Sequence, residues 1–245
     1  MTPAELLNAF ARARASLDGA EVTFWWTGDI YSWAPDEPYR RLFGFEGLNV
    51  ARLIPDEETG GLRLLSREAA FYLDPATREI LETWQDKPVL HVWNDPANQR
   101  LRPFPVPLTD LGDQVCFSLE IPLAHPSPLP VAQYPLHSAD DTYKALELFQ
   151  FFAPASVLTT DAPSVPATMS WTRMSPWLPW MEQGGRPGGL TFHCRGRKLG
   201  SYTEVPDRTR AHIAAHHPEF ARAPQEWSEP NETSWSYFRK LFPPR

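Results

Sequence analysis

Cysteine is scarce in this chain of 245 residues: only Cys116 and Cys194 occur, and no Cys-x-x-Cys is present. That excludes a disulfide framework and a thiolate zinc site, and leaves two buried free thiols. Long apolar runs are missing as well, with nothing near the roughly 18 residues a membrane-spanning helix needs. The opening stretch, Met1 to Gly19, is charged and amphipathic and lacks the apolar centre of a signal peptide. These absences lead us to expect a soluble, cytoplasmic chain with no membrane span. No cluster of lysine and arginine appears and the net charge is −7, so the basic footprint of a nucleic-acid binder is absent. The sequence also has no GxSxG elbow, phosphate loop, HExxH or GxGxxG. The glycines from Gly184 to Gly189 are interrupted by Pro187, which has no N–H to offer a phosphate, and are read as a turn. No cofactor and no metal is expected.

What is abundant is proline and tryptophan, 27 and 10 residues respectively. Proline is kept out of helix interiors and central ladders, so this many of them imply short elements joined by fixed turns rather than a helical bundle. With 42% hydrophobic and 22% charged residues, the chain can bury a core, and residues 1–245 are read as a single domain.

Leu6, Phe10, Ala13 and Leu17 recur at helical spacing and Gly19 follows them, which predicts an N-terminal helix within residues 1–19, packed against or plugging one end of a sheet. From Glu21 the period becomes two. Val22, Phe24, Trp26 and Ile30 fall on one face, and Thr23, Trp25, Thr27 and Tyr31 on the other, so both faces of this strand should be covered. Further strands are expected at Arg41–Leu53, Leu62–Leu73, Glu79–Trp84, Pro88–Trp93, Gln114–Leu123, Thr142–Phe152, Ala167–Met174 and Leu190–Cys194. Turn residues such as Asp74-Pro75 and Asn94-Asp95-Pro96 separate them. Proline-rich stretches at Pro103–Pro107 and Pro122–Pro135 read as excursions over the surface or a lid. A second helix is expected from Pro206 to His217, followed by an aromatic tail over residues 227–245. The expected fold is mainly β (α+β): an antiparallel barrel or strongly curved sheet over residues 21–200, calycin-like, with an N-terminal and a C-terminal helix packed on it.

Polar groups inside apolar strands are costly unless they are used. Glu68, His91, Asn94, Arg173 and His193 stand out on that ground. His91 and His193 could converge with Glu68 as an acid/base set, whereas His212 and His216, four apart near a helix end, are read as partners of the helix dipole. Trp25, Trp26, Tyr72, Trp171, Trp177, Trp180 and Trp235 would supply large rigid walls, with Asn94 and Lys198 as polar contacts to a ligand.

The block Ser170-Trp171-Thr172-Arg173-Met174-Ser175-Pro176-Trp177-Leu178-Pro179-Trp180-Met181, followed by Gly188-Gly189-Leu190-Thr191-Phe192-His193, resembles the bacterial and fungal family catalogued as domain of unknown function 1838. Phe43-Gly44-Phe45-Glu46-Gly47-Leu48-Asn49, Trp93-Asn94-Asp95-Pro96 and Glu232-Thr233-Ser234-Trp235-Ser236-Tyr237-Phe238 also look like this family. The likeness runs from about residue 24 to 240, and it implies no particular activity. Members often carry a longer insert where this chain has only Trp84-Gln85-Asp86-Lys87-Pro88.

From the residues, the expected function is a cofactor-independent enzyme of the lyase, isomerase, cyclase or hydrolase kind. It would act by acid/base chemistry on an apolar aromatic, polyketide or terpenoid molecule. His91 or His193 would be the base, Glu68 its orienter or the acid, and Arg173 or Lys198 would stabilise a developing oxyanion. The alternatives are a calycin-like carrier that binds the same ligand without chemistry, and an interaction module whose tryptophans form an exposed patch. Pairing as a homodimer is left open.

Overall fold

The structure, a computed structural model, describes residues 1–103 and 106–244. Helix α1 (Pro3–Arg14) begins at a capping box: Thr2 Oγ1 accepts from Glu5 N at 3.3 Å, and Glu5 Oε2 accepts from Thr2 N at 2.7 Å. Its apolar stripe places Phe10 edge-on against Phe117 and Phe151, with centroids 5.8 and 5.4 Å away. Burying one such ring contributes about 1.5–3 kcal/mol. The helix thereby packs across the sheet, as its periodicity predicts.

The strands follow as β1 (Val22–Ala34), β2 (Glu37–Asp56), β3 (Gly61–Leu73), β4 (Thr83–Trp84), β5 (Lys87–Pro88), β6 (Val92–Asn94), β7 (Gln99–Leu101), β8 (Leu108–Asp110), β9 (Gln114–Pro126), β10 (Thr142–Pro154), β11 (Thr168–Ser175) and β12 (Gly189–Lys198). All ladders are antiparallel. They run β6-β3-β2-β1-β12-β11-β10-β9-β8, with β7 also on β3 and β4-β5 forming a separate hairpin. Two helices complete the chain, α2 (Asp207–His216) and α3 (Ser234–Leu241).

The sheet is strongly curved, because β3 and β9, six ladders apart, line one cavity. It is not a closed barrel. Among the described residues no ladder joins β6 or β7 to β8, so the path has two ends. The physical reason lies in those edge strands, which are only three residues long and sit among Pro96, Pro103 and Pro107, residues that have no N–H to continue a ladder.

Strict alternation sorts the side chains. On β1, Phe24, Trp26 and Ile30 enter the inner core while Trp25 packs outward, so both faces are covered as expected. The outer layer collects Leu48, Val50, Ala69, Phe71 and Leu73 beneath Ile213 of α2 and Phe220 of the turn that follows it. Glu46, buried on that side, accepts from Arg208 Nη2 at 2.7 Å and from Thr209 Oγ1, which pins α2 to the sheet.

Two expected strands are shorter than their patterns. Glu79–Trp84 and Pro88–Trp93 give way to the β4–β5 hairpin and to β6, because Gln85 and Asp86 adopt φ of 50° and 62° and close a two-residue turn. The aromatic tail contains α3, capped by Thr233. Among the described residues no helix is long and apolar enough to cross a membrane.

Candidate functional site

The inner face of the curved sheet encloses a cavity of about 420 Å³. On β3 the alternation turns Leu64, Glu68, Ala70 and Tyr72 inward, while Arg67 faces out to Asp95 and Phe71 joins the outer layer. Register then builds a polar row: Asn49 of β2 lies opposite Glu68, and Glu68 lies opposite Asn94 of β6. Asn94 Nδ2 donates to Glu68 Oε1 at 2.9 Å. Arg14, projecting from the end of α1, donates from Nη2 to Asn49 Oδ1 at 2.6 Å.

A second polar row comes from β10 and β11, where Glu147 lies opposite Arg173. The Arg173 guanidinium is ion-paired through Nη1 with Glu147, and its Nη2 donates to Tyr143 Oη at 2.5 Å. Both rows line the same cavity. The groups between them are aromatic. Trp26 lies flat in the space left by Gly47, where a Cβ would stand only 2.6 Å from the indole. Phe45 packs against Tyr72 and Phe192 at 5.3 and 5.2 Å, and Trp180 against Tyr72 and Phe43 at 5.3 and 5.7 Å. Trp235 of α3 covers Tyr143 edge-on at 4.9 Å.

Burial raises the pKa of Glu68, and the charge of Glu147 raises it further, against the weaker opposing pull of Asn94 and the two arginines. Its partial exposure is to the cavity rather than to the outer surface. Burial lowers Arg14 to about 10. It works against the charge of Arg173 too, but Tyr143 and Glu147 outweigh it and hold that pKa above the usual arginine value. Burial, then the neighbouring His212, lowers His91 to about 4. His91 is therefore neutral near pH 7, with Nδ1 accepting from Tyr72 N at 3.3 Å and the proton on Nε2.

Of the residues singled out from sequence, Glu68, His91, Arg173, Trp26, Tyr72, Asn94, Trp171, Trp177, Trp180 and Trp235 all line this cavity. Three do not. His193 lies on β12 between the inward Phe192 and Cys194, so alternation turns it outward, where it is exposed and its Nδ1 lies 3.3 Å from Thr172 Oγ1. The set of His91, His193 and Glu68 is thus not assembled. Trp25 packs in the outer layer, back to back with Trp26. Lys198 is engaged at the C-terminal end of α1, donating to Arg12 O, Ala15 O and Ser164 Oγ at 2.6, 2.8 and 2.9 Å. Burial, then the charge of Arg14, pulls it down to about 7, yet three acceptors match the three protons of the ammonium form.

Sequence reasoning missed Arg14, Asn49, Tyr143 and Glu147. The signal that exposed Glu68 was present for Glu147, a carboxylate inside the apolar run Ala145–Phe152. Arg14 follows Phe10 by four and so shares its helix face. Trp177 satisfies its indole by donating to Arg186 O at 3.2 Å, whereas the buried indole N–H groups of Trp26 and Trp171 have no partner among the described residues.

No curated protein matches the chain. A family model, described as "Protein of unknown function (DUF1838)", matches residues 19–242, a range that holds every strand but not α1 with its cavity residues Phe10 and Arg14, and the chain belongs to that family.

Proposed function

We propose that this protein is an acid/base enzyme, of the lyase, isomerase, cyclase or hydrolase kind, acting on an apolar aromatic, polyketide or terpenoid molecule held in the aromatic cavity. One observation carries the reading. Glu68 is a carboxyl without an ion pair among the described residues, set in the cavity wall, and the cavity also holds the Arg173–Tyr143–Glu147 group. A buried carboxyl whose pKa is raised holds its proton to higher pH than a free glutamate and is suited to donate it to a substrate oxygen or carbon. Asn94 fixes its orientation through Oε1.

Tyr143 accepts from Arg173 and so keeps its own O–H free to donate. A substrate carbonyl placed there would have its developing oxyanion met by a hydroxyl that the guanidinium polarises. Glu147 locks the guanidinium in place. His91 supplies no charge here; its neutral ring closes the wall beside Tyr72. The partnerless indole N–H groups fit a ligand that brings acceptors of its own.

The test is turnover of a panel of aromatic, polyketide and terpenoid compounds by the wild type and by Glu68→Gln. The acid role requires kcat to drop by roughly 100-fold or more in the variant while ligand affinity stays within a few-fold. It also requires activity to fall as pH rises through the raised pKa of Glu68. Equal turnover by Glu68→Gln would remove Glu68 from the chemistry, and tight binding with no turnover by either protein would mark a carrier.

A further inference from the structure

We infer that the ligand of this cavity is an amphipathic carboxylic acid, its carboxylate bound by Arg14 and Asn49 and its apolar body lying along Trp26, Phe45 and Trp171. This assignment rests on the reading of the cavity as a small-molecule site and names the class of molecule it takes. The cavity wall carries two guanidinium groups, Arg14 and Arg173, and two carboxyls, Glu68 and Glu147. Arg173 and Glu147 pair with each other. Arg14 and Glu68 do not: the described residues give Arg14 no carboxylate, only the amide oxygen of Asn49 at 2.6 Å, while its Nη1 is buried with no partner.

A charged guanidinium removed from water with one neutral acceptor is an expensive arrangement that a bound anion would relieve. A planar carboxylate matches the guanidinium fork, and charge-assisted hydrogen bonds of that kind are the strong ones. Glu68 acts on Arg14 only as a nearby charge: among the described residues the two make no ion pair, and the Glu68 carboxyl is turned to Asn94 at 2.9 Å. The carboxylate partner that Arg14 lacks among the described residues is therefore supplied by the ligand. The Arg14 guanidinium sits 5.5 Å from the Phe24 ring centre, and Trp26, Phe45 and Trp171 line the same cavity, surfaces that suit an apolar body on the ligand.

The experiment uses the full chain and two probes with the same aromatic body, 2-naphthoate and its uncharged methyl ester, with binding read from quenching of tryptophan fluorescence. Naphthoate should bind more tightly than the ester by about tenfold or more. Arg14→Met should abolish that preference without weakening ester binding. Asn49→Asp, which provides an internal anion 2.6 Å from Arg14, should also cancel the preference while leaving the fold intact, so the inference stays testable if Arg14→Met fails to fold. Equal binding of acid and ester to the wild type overturns the assignment to carboxylates and leaves the apolar cavity standing. Binding of neither probe overturns both.

Discussion

At the scale of single residues, the inside-outside alternation of a strand decides roles that residue type alone leaves open. His193 and Phe192 are neighbours on β12, yet one is exposed and the other is in the core. Lys198, near the end of the same strand, is committed to two backbone carbonyls and a hydroxyl at the last turn of α1. Lys198→Met would remove three charge-assisted hydrogen bonds, although Val165 N and Ser164 Oγ still donate to the Arg12 and Ala15 carbonyls, and we expect it to cost about 1–3 kcal/mol. His193→Ala should change stability by less than about 0.5 kcal/mol and leave ligand binding untouched. Urea denaturation of the two variants checks both, and a costly His193→Ala beside a neutral Lys198→Met would reverse the assignment made for them.

At the scale of elements, α2 and the outer face of the sheet form a pH-sensitive joint. His91 and His212 meet edge to face with ring centres 5.8 Å apart, and His212 stacks on His216 at 4.1 Å. Burial lowers the pKa of both His91 and His212, and the charge of a neighbouring histidine lowers each further. The unfolded chain then takes up these protons before the folded one does. The stability from the neutral rings is full above the unfolded value of about 6.5. It is lost as pH falls towards the folded value of His91, about 4. Glu68 works in the opposite sense, since a carboxyl with a raised pKa loses its stabilisation as pH rises. A His91→Gln variant isolates the histidine contribution: between pH 7 and pH 5 it should lose less stability than the wild type, by up to about 2 kcal/mol. Parallel pH dependences for the two proteins in chemical denaturation would count against the joint.

Elements with a strong period were legible in the sequence. The stripe of α1, the two-faced alternation of β1 and the charged intruders Glu68 and Arg173 each announced their place. The short edge strands were not, because Gln99–Leu101 and Leu108–Asp110 carry too few residues to show a period and exist only by pairing with β3 and β9. Helix α3 was hidden in an aromatic tail, its start marked only by Thr233 at the cap. Arg14 and Lys198 were misjudged for a related reason: what each reaches depends on how α1 sits over the sheet, a contact between residues more than 180 apart in the case of Lys198.

At the scale of the whole molecule, curvature turns one face of the sheet into the wall of a cavity, over which helices and a loop are laid. Helix α1 presses Phe10 and Arg14 inward, the loop from Pro176 to Trp180 packs against Phe43 and Tyr72, and α3 lays Trp235 across Tyr143. The tryptophans that stood out by number thus divide by position: Trp26, Trp171, Trp177, Trp180 and Trp235 wall the cavity, while Trp25 belongs to the outer layer. The two polar rows sit on different strand sets, β2-β3-β6 and β10-β11, and only curvature brings them to one cavity. The account depends most on the protonation state of Glu68 in that space. Carbon-13 NMR titration of glutamate side-chain carboxyls, with Glu68→Gln to assign the resonance, measures it directly. The account predicts a Glu68 midpoint above the ordinary glutamate value of about 4.3; a midpoint at or below that value would contradict it.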